Sequence, residues 1–197
     1  MDLIIIFNYT IMKKTIFILT IISCTLDFVS AQDSTSVSEN PIRVSANICL
    51  LNWSNNNISN YYGSMTSFYG AVEKNLSDDF SCELSFLYGK DHNDNYLINH
   101  SQVGLSVKYA WYFLGGNRPN VFGKFGGKYL TLKASGDGEN ETGNSIGFSL
   151  GVGVEIPFSQ KTFLTGGWDS IYSNMEFDDE NVNVGSQIFY VGLIFNL

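Results

Sequence analysis

The stretch Gly185-Ser186-Gln187-Ile188-Phe189-Tyr190-Val191-Gly192-Leu193-Ile194-Phe195-Asn196-Leu197 decides how the rest of the chain is read. Phe189, Val191, Leu193, Phe195 and Leu197 share one parity. Tyr190, Gly192 and Asn196 hold the other, with Ile188 and Ile194 as apolar exceptions. Successive side chains of a strand point to opposite faces, so this is a strand with one wholly apolar face and one mixed face. No later segment is at hand to cover the apolar face. A soluble sheet needs a second layer there, whereas a lipid-facing strand does not.

Working back along the chain, the same alternation recurs in seven further segments. Strands are expected at Ile42–Leu51, Ser64–Asn75, Phe80–Tyr88, His100–Phe113, Asn120–Leu132, Ser145–Pro157 and Thr162–Ile171. In the last, Phe163, Thr165, Gly167 and Asp169 oppose Leu164, Gly166 and Trp168, and the pattern leaves its facing open. The connections alternate in length. Asn52–Gly63, Gly89–Asn99, Lys133–Asn144 and Tyr172–Val184 are long and polar, and Leu76–Asp79, Gly115–Pro119 and Phe158–Lys161 are short. Eight antiparallel strands that start and end on the short-turn side give this rhythm. An even number also closes the sheet, and open edges are not tolerated in lipid. The expected fold is all-β: an eight-stranded antiparallel up-and-down transmembrane β-barrel over residues 41–197.

Composition agrees. The chain has 197 residues, 15% of them charged, against roughly 25% in ordinary soluble domains. Mean hydropathy is close to zero, as expected when apolar and polar faces average out. The net charge of −8 argues against a nucleic-acid partner. Residues 1–31 read as a cleavable signal peptide. Met12 is the expected true start, Lys13 and Lys14 form the basic region, Thr15–Cys24 the apolar core, and Val29-Ser30-Ala31 the cleavage site. A rival reading takes Ile21-Ile22-Ser23-Cys24 as a lipoprotein box, with Cys24 lipidated. Residues 32–40 are a Ser-, Asp- and Thr-rich lead-in, read as disordered.

The mixed parity supplies the inward-facing candidates Arg43, Glu73, Glu83, Lys108, Lys124, Lys128 and Glu155, with Asp169 as an eighth. An eight-stranded interior is just wide enough for side chains, so these charges must pair. A salt-bridged plug is favoured over a gated ion path. Tyr88, Tyr109, Trp111, Phe113, Tyr129 and Trp168 lie near strand ends and are expected to form membrane-interface belts. Asp178-Asp179-Glu180 and the other loop carboxylates read as a solvated acidic face without calcium-loop spacing. Neither metal nor cofactor is called for. His100 and Ser101 are adjacent in a strand and point apart, so they do not make a catalytic pair, and His100 is expected to hydrogen-bond at the rim. Asn-x-Ser/Thr matches at Asn52, Asn57 and Asn140 are taken as chance in Asn-rich loops, and Gly147-x-x-x-Gly151-x-Gly153 lies in a strand and makes no phosphate loop. Cys49 and Cys82 are read as small apolar strand residues, with a disulfide between them left open.

The leader, the eight alternating segments and the terminal Phe189–Leu197 together resemble the small eight-stranded outer-membrane barrels of the OmpA/OmpX type. The resemblance covers residues 41–197. It implies a cell outer-membrane location, outer-membrane lipid as surroundings, and the barrel-assembly machinery as a partner during insertion. Phe189, Val191, Leu193, Phe195 and Leu197 would be the assembly signal, although the chain ends in Leu197 and not in an aromatic residue. The peptidoglycan-binding domain carried by some relatives is not expected. The expected role is non-enzymatic, structural or surface-interacting, through four exterior loops that could meet a surface ligand. The alternatives are a narrow pore or transport-type barrel gated by lumen ion pairs, a soluble ligand-binding barrel, and a lipid-modifying enzyme.

Overall fold

The structure, a computed structural model, describes residues 42–55, 58–59, 63–93, 96–112, 119–136, 139–177 and 180–197. The expected leader and lead-in lie outside the described residues. Eight long strands close one antiparallel barrel. They are β1 (Ile42–Trp53), β2 (Ser64–Asn75), β3 (Phe80–Asn93), β4 (Tyr96–Tyr112), β5 (Asn120–Gly136), β6 (Glu139–Pro157), β7 (Thr162–Tyr172) and β10 (Ser186–Asn196). Two short strands, β8 (Asn174–Phe177) and β9 (Glu180–Asn183), pair only with each other. Closure joins β1 to β10 from Arg43↔Asn196 to Trp53↔Ser186. At the short-turn rim the Leu197 N–H donates to the Ile42 carbonyl at 2.9 Å.

Two of the short turns share one device. The N–H groups of Leu76 and Ser77 both donate to the Phe80 carbonyl, and those of Phe158 and Ser159 both donate to the Thr162 carbonyl. In each turn the serine hydroxyl accepts a backbone N–H from the returning strand, Phe80 for Ser77 and Thr162 for Ser159. A serine side chain thus closes each turn on the returning strand.

The register fixes the barrel's shape. Paired residues lead round the wall from Gly89 through Ser67, Cys49, Tyr190, Gly167, Gly153 and Phe122 to Ala110. The Ala110 N–H then donates to the carbonyl of Asp79, so the path returns to the foot of β3 shifted from 89 to 79. A ten-residue stagger over eight strands tilts them by about 40°, inside the usual range, and leaves a wall only about 8 Å in radius. Glycine lets the wall pack at this curvature. A Cβ on the inward-facing Gly126 would run into the Leu105 carbonyl, and one on Gly192 into that of Ala46.

The structure corrects the expected loops. Gly89–Asn99 and Lys133–Asn144 are not loops: β3 and β4 run on to Asn93↔Tyr96, and β5 and β6 to Gly136↔Glu139. Ladder pairing overrides the turn-like Asn, Asp and Gly composition. β3 to β6 therefore stand above the barrel as a four-stranded sheet. The stretch Tyr172–Val184 carries the β8–β9 hairpin. The open question of β7 is also answered: Phe163, Thr165, Gly167 and Asp169 face the interior, and Leu164 and Trp168 face outward.

Candidate functional site

All the large outward side chains of the wall are apolar over its central band, among them Ile48, Phe68, Phe86, Phe125, Phe148, Val152 and Val191. The candidate site is thus the interior. All eight charged candidates, Asp169 included, are buried there, four cationic and four anionic.

They form two layers. Nearest the short-turn rim, Arg43 and Lys108 each bridge both Glu73 and Glu155. Arg43 lies 3.1 Å from Glu73 and 2.6 Å from Glu155, and Lys108 lies 2.9 Å from Glu73 and also contacts Glu155. The Ser81 hydroxyl donates to Glu73 at 2.6 Å and the Asn120 amide to Glu155 at 3.2 Å. Lys108 also sits 4.3 Å above the Phe122 ring. Every member has several partners, which is what burial of a charge demands.

The second layer centres on Lys124, which lies 3.3 Å from Glu83 and 3.0 Å from Asp169. The Asp169 contact is an ion pair off hydrogen-bond alignment. Lys124 donates to the Tyr69 hydroxyl at 3.0 Å, and that hydroxyl donates to Glu83 at 2.6 Å. The Tyr69 and Tyr190 rings stack at 5.4 Å beside it. Lys128 donates to Ser85 at 2.8 Å. Among the described residues, Arg43–Glu73 joins neighbouring strands, Arg43–Glu155 skips two strands, and the pairs of Lys108 and Lys124 each skip one, so the network runs through the interior. The space among the two layers measures about 20 Å³, room for about one water.

The other half of the interior is apolar. Leu51, Met65, Leu87, Ile98, Leu130, Ile171 and Ile188 are fully buried in it. Met175 of β8 and Val184 after β9 close the stack from above. The hairpin is tied down by Ser145, whose hydroxyl donates to the Asn174 carbonyl and lies 2.6 Å from that of Ser173. His100 is inside this stack and not at the rim, with the Trp53 ring edge-on at 5.0 Å and the Gln102 amide nitrogen 2.5 Å from its Nε2. The missed contributors are Tyr69, Tyr190 and the apolar stack. Their signal was present as large residues on the mixed parity, such as Leu51, Leu87 and Leu130.

Cys49 faces the interior and Cys82 faces outward, so the wall separates them and they are not bridged. Among the aromatic candidates, Tyr88 and Trp111 are exposed on the outer face. Tyr109 packs between Phe80 at 4.8 Å and Trp111 at 4.7 Å, near the short turns. Tyr129 and Trp168 are half-buried on the outer parity, and Phe113 lies outside the described residues. Tyr172, stacked on Phe148 at 5.1 Å, joins the outer aromatics. Phe189, Val191, Leu193 and Phe195 project outward from β10, followed by the exposed Leu197.

A closed barrel with an apolar belt outside and paired charges inside defines an integral membrane barrel. Residues 19–195 match the model of the outer membrane protein beta-barrel domain, and the chain belongs to that family. The family lives in the bacterial outer membrane. No curated protein matches the chain. Among solved structures it is similar to Neisserial surface protein A (TM-score 0.60, 14% identity, 79% of this chain and 96% of that one covered). It is also similar to OprG from Pseudomonas aeruginosa (0.57, 11%, 80% and 96%) and to the N-terminal β-barrel domain of OprF from the same organism (0.56, 15%, 79% and 97%). At these identities the likeness is one of fold.

Proposed function

We propose that the protein is a non-enzymatic, non-conducting outer-membrane barrel that acts through its exterior segments. The observation that carries this reading is the filled interior: five ion pairs join non-adjacent strands within it, and an apolar stack capped by Met175 lies above them. Opening a path would mean parting these buried ion pairs, and each uncompensated buried charge is costly. The parts free to meet a surface ligand are the rim beyond Trp53, the projecting hairpins of β3–β4 and β5–β6, and the β8–β9 hairpin. Polar segments held on a rigid frame are the usual carriers of binding.

The competing role is a narrow pore gated by the same ion pairs, and the small space among the charged layers is the feature that favours it. Planar-bilayer recording separates the two. The solid barrel gives no steady current, and neutralising Glu83 or Lys124 adds none that survives refolding controls. Steady unitary current from the unaltered protein, changed by Glu83→Gln, would install the pore in its place.

A further inference from the structure

The sheet that β3 to β6 raise above the barrel sorts its charges by face. One row of paired residues reads Asp91–Ile98–Ala134–Glu141. Ile98 is buried, so this row faces the barrel axis, with a carboxylate at each end. The next row down reads Lys90–Asn99–Lys133–Thr142 and faces outward, with Lys90, Lys133 and Thr142 exposed. The rows on either side of it on that outward face are His92–Leu97–Ser135–Asn140 and Tyr88–Ser101–Thr131–Asn144. Among the described residues this outward face bears no carboxylate, in a chain of net charge −8.

The two lysines are not a random pair. Four of the other described basic residues, Arg43, Lys108, Lys124 and Lys128, are committed to the interior, and Lys74 and Lys161 belong to the short-turn side. Lys90 and Lys133 are the described basic residues of the exterior half, and they flank Asn99 in one row, two strand spacings or about 10 Å apart. Directly below on the same face come Tyr88 and then the apolar row Phe86–Val103–Tyr129–Ile146. With about 3.3 Å per residue and a tilt of about 40°, Lys90 stands about 25 Å above Phe80 of the lower aromatic cluster, the usual height of the apolar band in such barrels. Paired rows climb with the same tilt, about 3 Å per strand, so the row starts at Lys90 where lipid headgroups begin and rises about 6 Å to Lys133 and about 9 Å to Thr142, through the headgroup layer.

We propose that Lys90 and Lys133, with Asn99 and Thr142, hold the phosphate of an outer-leaflet lipid headgroup against the outward face of this sheet. The ammonium groups neutralise the phosphate, the amide and hydroxyl supply hydrogen bonds, and the tyrosine and apolar rows below accommodate the acyl chains. Being exposed, the contact weakens as salt is raised.

The test uses the full chain refolded in neutral detergent, with bound lipid counted by native mass spectrometry. The probes are phosphatidic acid, phosphatidylcholine of the same chains, and inorganic phosphate as competitor. The unaltered protein retains phosphatidic acid over phosphatidylcholine, and each of Lys90→Gln and Lys133→Gln lowers that preference about fivefold. Lys90→Arg/Lys133→Arg keeps it, and heat-shifted gel mobility shows that every variant is folded. Three results overturn the proposal. One is an unchanged preference in the double glutamine variant. Another is an equal loss in Lys74→Gln/Lys161→Gln, which would make net charge the cause. The third is full displacement of the lipid by inorganic phosphate, which would make the site one for a soluble anion.

Discussion

The two halves of the barrel interior use the same inward parity for opposite chemistries. The half towards the short turns is charged and bonded between non-adjacent strands, and the half towards the long hairpins is mostly apolar and packed, with His100, Gln102 and Ser145 as its hydrogen-bonded exceptions. In the charged half the strands that carry charges set them against apolar outer neighbours, Arg43 inside and Val44 outside, Lys124 inside and Phe125 outside, although Phe122 and Ile194 also line the inside. A one-residue slip would turn every charge into lipid, at roughly 2–4 kcal/mol for a basic residue near the midplane. In the other half the faces are nearly alike, Leu50 outside and Leu51 inside. The charged half thus tells inside from outside, and the apolar half excludes water without specifying register.

The contrast can be broken in order of expected effect. Lys124→Met leaves Glu83 and Asp169 facing each other without the ammonium between them. Unfolding by urea in micelles should then show a loss of about 3–5 kcal/mol. Glu155→Leu alone should cost a similar amount, because Arg43 and Lys108 each lose a carboxylate. Adding Lys108→Met leaves the Arg43–Glu73 pair complete, and the same titration should recover more than half of the loss. In the apolar half, Leu130→Ala removes a fully buried side chain and should cost about 2–4 kcal/mol, with no coupling to the charged variants. The smallest contrast is within the wall. Gly126→Ala drives a Cβ against the Leu105 carbonyl and should cost about 1–3 kcal/mol. Gly127→Ala, with open space outside, should stay within about 0.5 kcal/mol, and both are read by the temperature of the gel-mobility shift.

Much of the frame was legible because period-two alternation is a direct signal in a wall with lipid on one side. The ends of β2, the turns at Leu76 and Phe158, and the inward parity of the charged residues all came from it. Three features were hidden for physical reasons. The upper parts of β3 to β6 are Asn-, Asp- and Gly-rich, and only pairing with one another makes them strands. The apolar stack was masked because Leu51, Leu87, Leu130 and Ile188 looked like exceptions to a polar lumen, when together they fill half of it. The facing of β7 was unreadable because Thr165 and Gly166–Gly167 carry little hydrophobic contrast; the partners of Asp169 and Phe163 decide it.

The claim that the interior is solid is tested most directly at Cys49, which sits inside the wall beside the apolar stack and is 3% exposed. In a Cys24→Ser/Cys82→Ser chain it is the sole thiol. A charged, water-soluble thiol reagent applied to the folded barrel in lipid vesicles should leave Cys49 unlabelled for hours, and label it fully after unfolding. Rapid labelling of the folded barrel would mean that water and solutes enter the lumen, and would contradict the account.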